Sequence, residues 1–170
     1  MVSPPQANPQ PRDVLQTFRF EVTLTDSPGG DSGAGTLGTG SFQECTGLDL
    51  QADVREYLEG GRNDGVIRRV GRVKLQPLVL KRGMFARSPG EQVDPALWVW
   101  LQDMVRGDAP ARRVNGTVHV YGSRREPPLA TWRFVRGLPA RIAGPALNAR
   151  TGEIAVEELH IVHEGLRLVP

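Results

Sequence analysis

A chain of 170 residues, 39% hydrophobic and 24% charged, is long enough to bury one core, and its composition excludes wholesale disorder. A net charge of +2, with both signs interleaved, is too mild to point to nucleic acid. The single Cys45 permits no internal disulfide, and no apolar run approaches the ~18 residues that span a bilayer.

Residues 1–14 carry Pro4, Pro5, Pro9 and Pro11 and read as an extended arm without a core of its own. Prolines stand where a signal peptide needs its apolar stretch, so the protein is expected to stay in the cytoplasm until it is assembled. A first strand is predicted over 15–24, with Phe18, Phe20, Val22 and Leu24 on one face and Arg19, Glu21 and Thr23 on the other. Residues 25–40 are glycine-rich, offer little to bury and are expected to be a flexible insertion. Two catalytic look-alikes lie in it. Gly33-Ala34-Gly35-Thr36-Leu37-Gly38 has the spacing of a dinucleotide fingerprint, which needs a strand turning tightly into a helix; the next residues, Ser41 to Leu50, read as β. Gly30-Asp31-Ser32-Gly33 has the look of a nucleophilic serine loop. A triad needs a rigid frame and a nearby base, and His119, His160 and His163 all lie far downstream. Cys45 sits at an alternating position and reads as a small packed residue.

The stretch 48–84 is the centre of the chain. It opens with Leu48, Leu50, Ala52 and Val54 at period two, separated by Asp49, Gln51, Asp53 and Arg55, which predicts one buried and one wet face. Residues 73–81 are predicted as one strand, apolar on both faces through Leu75, Leu78, Val79 and Leu80, and so covered on both sides. Between the two lies a long polar hairpin (55–72) with Gly60, Gly61, Gly65 and Gly71. Only Val66, Ile67 and Val70 are apolar within 59–71, and a projecting hairpin of this kind is expected to reach another copy of the chain.

A helix is predicted over 94–106, with Asp94 as cap and Pro95 at its first position. Leu97, Leu101, Met104 and Val105 form its apolar stripe, flanked by Trp98 and Trp100, which read as a seal over the core rather than a ligand box. From Thr117 the chain returns to β. Val118 and Val120 alternate, then 129–136 pairs back with Ala130, Trp132 and Phe134 on one face, before a bend at Gly137 and Pro139. Residues 144–152 read as a loop and 153–164 as the last long strand. His160 and His163 would share a face on a helix; on a strand their odd separation sends them apart, so no metal site is expected. His163, beside Glu164, is expected to make a structural or intersubunit hydrogen bond. The basic pairs Arg68-Arg69, Arg112-Arg113 and Arg124-Arg125 read as solvated charge in or beside turns, without the interleaved aromatics of a single-strand platform.

An ordered set of motifs runs through residues 17–166: Glu56-Tyr57-x-Glu59-Gly60-Gly61, Gly71-Arg72-x-Lys74, Leu78-x-Leu80-Lys81-Arg82-Gly83, Asn115-Gly116, Gly144-Pro145-x-Leu147-Asn148-Ala149, Val156-Glu157-x-Leu159 and His163-Glu164-Gly165-Leu166. In this order they resemble the tail tube family of contractile phage tails, which also supplies the inner tube of extracellular contractile injection systems. The resemblance implies a structural protein, not an enzyme, with no catalytic residue, cofactor or metal. It implies hexameric rings whose strands join into a continuous inner barrel, and rings stacked into a conduit for DNA or effector cargo. The implied partners are further copies of itself, a surrounding sheath protein, baseplate and spike proteins and a terminal cap, with no membrane anchor. The expected interface comprises Glu56, Glu59, Gly60, Gly61, Arg62, Asp64, Val66, Ile67, Arg68 and Arg69 of the hairpin, with Lys81, Arg82, His163 and Glu164.

The fold expected is mainly β, an antiparallel sandwich or barrel of about seven or eight strands with one packed helix and an extended hairpin. The arm, the glycine-rich insertion and the residues between Arg87 and Val93 exceed the family's compact pattern, which leaves open a specialised ring at the baseplate end. A monomeric β-barrel binding a ligand or nucleic acid is the reading of another class.

Overall fold

The computed structural model describes residues 15, 19–27, 36–40, 42–57, 65–86, 90–107, 110–122, 127–150 and 152–169. The proline-rich arm, the residues 28–35, the hairpin tip 58–64 and the Arg124-Arg125 pair lie outside them, and so do the expectations placed there.

Among the described residues, ten strands and one helix follow in order: β1 (Phe20–Asp26), β2 (Thr36–Gly40), β3 (Glu44–Thr46), β4 (Leu50–Tyr57), β5 (Ile67–Leu75), β6 (Leu78–Gly83), α1 (Ala96–Arg106), β7 (Val114–Val120), β8 (Ala130–Ala143), β9 (Val156–Val162) and β10 (Gly165–Val169). Eight strands form one antiparallel sheet in the order β2-β1-β7-β8-β9-β6-β3, with β10 on β8. The fourteen-residue β8 joins the two halves of this sheet. Its first part, Thr131 to Val135, pairs with β10, and its second part, from Leu138 on, pairs with β9. The mainly antiparallel, sandwich-like fold with one helix agrees with the sequence.

Alternation explains the core. Val22 and Leu24 of β1, Val114 and Val118 of β7 and Phe134 of β8 are buried from one half; Leu78, Leu80, Leu159 and Ile161 are buried from the other. Gly116 is obligatory where it stands, because a Cβ there would lie 2.0 Å from the Phe134 ring. β8 bends at Arg136, a non-glycine residue at φ 54. Its backbone N–H donates to Asn115 Oδ1 at 3.0 Å, Arg113 donates to its carbonyl at 3.1 Å, and Glu164 holds both guanidinium groups, at 2.7 Å for Arg113 and 2.6 Å for Arg136. A left-handed non-glycine residue costs of order 1 kcal/mol and persists where its surroundings hold it so firmly.

The helix begins after Pro95, with Asp94 Oδ1 accepting the Ala96 N–H at 3.1 Å, and ends at the left-handed Gly107. It buries Leu97 and Trp100, whose Nε1 donates to the Arg112 carbonyl at 2.8 Å; Val105, expected in the stripe, is exposed. Trp98 instead donates to the carboxylate of the buried Glu157 at 2.9 Å, and Glu157 also pairs with Arg82. Cys45 is packed against the core, and burial pushes its thiol up to about 12.

Several boundaries differ from those expected from the sequence. The glycine-rich segment is not all without structure, since Thr36–Gly40 pairs with β1 and Leu37 is buried. The predicted strand over 73–81 is two strands, because Gln76 and Pro77 break it: proline has no N–H to give a ladder. The predicted last strand ends at Val162, and the chain re-enters as β10.

Candidate assembly surface

β4 and β5 form a two-stranded sheet of their own, paired with no other named strand. Leu50 stands opposite Leu75, Ala52 opposite Val73, Val54 opposite Val70 and Glu56 opposite Arg68. The register shifts between Ala52 and Val54, so that Asp53 is opposed by both Gly71 and Arg72. That bulge decides the chemistry of the hairpin. Without it, Val70 would share a face with Arg72 and Lys74, two and four positions on. With it, Leu50, Ala52, Val54, Val70, Val73 and Leu75 share one face, closed towards the tip by the Glu56–Arg68 ion pair at 3.3 Å. Gly71 suits the bulge because a Cβ there would come within 3.1 Å of the Asp53 carbonyl oxygen.

The opposite face carries Gln51, Asp53, Arg55 and Tyr57 on β4 and Ile67, Arg69, Arg72 and Lys74 on β5. Lys74 pairs with Asp53 at 2.8 Å, and Arg69 lies over the Tyr57 ring at 5.3 Å. Arg55 faces Arg69 directly, a like-charge pairing that disfavours the bare hairpin.

The alternation over 48–54 is therefore real, but beyond Leu48, which packs against the core, its apolar face is not buried. Leu50, Val54 and Val73 are each 60% exposed and Val70 76%. An isolated hairpin is marginal in water, and a contiguous apolar face of this kind marks an interaction site. The sequence-predicted interface residues that lie among the described ones can now be placed. Glu56 and Arg68 satisfy each other within the hairpin, on strands rather than in a turn. Val66 is exposed; Ile67 is half-buried and lies on the cationic face, so the expected trio with Val70 is split. Glu59, Gly60, Gly61, Arg62 and Asp64 fall outside the described residues.

The outlying candidates do not join this surface. Arg82 turns inward to the buried Glu157. Lys81 pairs with Glu44 at 3.0 Å, and this hydrogen bond raises its pKa. Lys81 also approaches Glu158, whose carboxyl sits below the usual range because His160 hydrogen-bonds it, with Lys81 and Arg141 adding their charge. Glu164 is committed to Arg113 and Arg136. His163 is buried against Phe134, ring centroids 5.7 Å apart, and neither ring nitrogen meets a hydrogen-bond partner in strict geometry. Burial lowers the pKa of His163, partly offset by the nearby backbone of Gln76 and Gly165. His160 instead lies 2.5 Å from Glu158 and 3.2 Å from Arg141.

Sequence reasoning singled out Val70 but missed Leu50, Val54 and Val73, which share its exposed face. The available signal was Gly71 inside a strand pattern, which marks a bulge, with apolar residues three apart on either side of it. Among the described residues no group of His, Cys, Asp and Glu could hold a metal ion, and no helix is long and apolar enough to cross a membrane.

A family model described as T4-like virus tail tube protein gp19 matches residues 16–167. The fold is similar to a chain of the anti-feeding prophage baseplate, with TM-score 0.72 and 21% identity, covering 99% of this chain and 97% of that one. It is similar to a chain of the PVC extracellular contractile injection system sheath–tube complex, with TM-score 0.70 and 20% identity, covering 92% and 91%. A chain of the anti-feeding prophage tube-terminating cap gives TM-score 0.75 and 21% identity over 96% and 95%. No curated protein matches the chain.

Proposed function

This chain belongs to the T4-like virus tail tube protein family, and from that premise we propose that it forms hexameric rings that stack into the inner tube of a contractile phage tail or injection system. The observation that carries this reading is the hairpin. An amphipathic pair of strands, with Leu50, Val54, Val70 and Val73 each at least 60% exposed, pairs with no strand of the main sheet and needs a second surface to cover it. Closed rings provide that surface on every copy and leave no sheet edge unpaired. The work of such a tube is mechanical. A sheath contracts around it, DNA or effector cargo passes inside it, and baseplate, spike and cap proteins close its ends. No catalytic constellation is needed for this.

A ring at the baseplate end is the second reading, favoured by the similar likeness of the fold to chains of baseplate and cap assemblies. Electron microscopy of the purified protein over a range of concentrations tests both. Six-fold rings that stack support the main tube subunit, and rings that never stack support the specialised ring. A monomer at every concentration, also with sheath and baseplate proteins present, would sink both.

A further inference from the structure

The two halves of the main sheet differ in how their solvent-side charges are met. Across β3, β6 and β9 the row Glu44–Lys81–Glu158 alternates in sign, with Lys81 at 3.0 Å from Glu44 and 3.9 Å from Glu158. Arg141 of β8 adds a bond to Glu158 at 3.2 Å. Across β1, β7, β8 and β10 the row reads Thr23–Thr117–Arg133–Arg167, each residue the direct register partner of the next. Arg133 stands between Trp132 and Phe134, which pack into the core, so Arg133 and its partner Arg167 lie on the open face, and both are exposed. Neither guanidinium has an ion-pair partner among the described residues. The described carboxylates on and beside these strands are engaged elsewhere. Glu21 accepts from the Tyr121 hydroxyl at 3.2 Å, Asp26 holds Arg112, and Glu164 holds Arg113 and Arg136.

Like charges directly opposite each other destabilise a strand pair. The Cα atoms of such partners lie about 5 Å apart, close enough for both guanidinium groups to reach one oxyanion. The charge of the pair selects that anion. A carboxylate or a phosphodiester brings a single negative charge and leaves half of the pair unmet. A phosphate monoester brings close to two, with several acceptor oxygens for the forked donors of two arginines. We infer that Arg133 and Arg167 form a binding site for a dianionic phosphoryl group, either free phosphate or the terminal phosphate of a larger molecule. The Thr117 hydroxyl, one strand away in the same row, is a further donor. The site is built within one protomer and does not depend on the assembly reading.

Thermal melts of the full chain at constant ionic strength test it, with Arg167→Thr and Arg133→Thr as independent variants. In phosphate-free buffer each variant should melt above the parent, because the opposed charges are gone. Inorganic phosphate should then raise the parent's midpoint more than that of either variant. An equal rise in all three is the general stabilisation given by an excluded salt and overturns the site, as does no rise in the parent. Two oligothymidylates identify the source of the group. A 5′-phosphorylated strand that binds roughly tenfold more tightly than its 5′-hydroxyl form, with the preference lost in both variants, supports a terminal phosphate. No such preference, with the phosphate-specific shift retained, supports free phosphate.

Discussion

Val54 faces Val70 across the hairpin because Asp53 is opposed by two residues, Gly71 and Arg72, instead of one. That single extra residue sorts β5 into an apolar and a cationic side. Inserting one alanine after Asp53 gives β4 the matching residue and removes the bulge, so Val54 and Val70 move to the cationic face and Arg55 and Arg69 to the apolar one. The expected outcome is a folded protomer that no longer assembles, read as a native circular dichroism spectrum with sedimentation at the monomer mass.

Val70→Asp with Val73→Asp tests the same face without touching the backbone. Both side chains are largely solvent-exposed in the protomer, so its stability should change by less than about 0.5 kcal/mol. At a covered interface the same carboxylates, unpaired, cost several kcal/mol, roughly enough to abolish rings. Chemical denaturation and microscopy of one preparation separate the two effects. Unfolding of the variant would place these residues in the core and contradict the hairpin as described.

Glu157→Ala should be among the most damaging single changes. Its carboxylate is 1% exposed and holds both Arg82 and the Trp98 indole, tying β6 and α1 to β9. Removing one partner strands a buried guanidinium, at a cost of about 3–5 kcal/mol. A urea midpoint close to that of the unaltered protein would count against the pair as a structural tie.

Gly116→Ala places a methyl group 2.0 Å from the Phe134 ring. Overpacking of this kind costs about 1–3 kcal/mol, and the backbone on both sides is held in the β7–β8 ladder. Adding Phe134→Leu should recover part of the loss, so the double variant should be more stable than the two single changes sum to. Thermal melts of the four proteins measure the coupling.

His163 sets a pH dependence of definite sign. Its pKa is lowered in the fold by burial, so the unfolded chain takes up the proton at higher pH than the folded one. Stability from this group is present above the ordinary histidine value near 6.5 and is lost as pH falls below it. Denaturant midpoints between pH 8 and pH 5 should therefore decline, and His163→Leu should flatten that decline. A variant with an unchanged slope would assign the effect to other groups.

Short-range pattern determined a good deal on its own. The alternation of Val22 and Leu24, of Val118 and Val120, and of Leu159 and Ile161 marks strands with buried faces. Pro95 and Gly107 bracket the helix. These are properties of adjacent residues, and the chain carries them wherever it goes. The ordered motifs pointed to the family for the same reason, being local in sequence. What covers a face is not local. Leu50 and Val54 alternate as cleanly as Val118 and Val120, yet the first pair is open to solvent because β4 and β5 leave the main sheet at Pro77. Leu37 looked like part of a loop and is core, since β1 supplies the ladder its glycine-rich surroundings could not announce. Arg82 reads from its motif as an interface residue, and only the fold brings Glu157, from a strand 75 positions on, beside it. Period reports which residues share a face; the tertiary structure alone decides whether that face meets the core, a carboxylate, or another molecule.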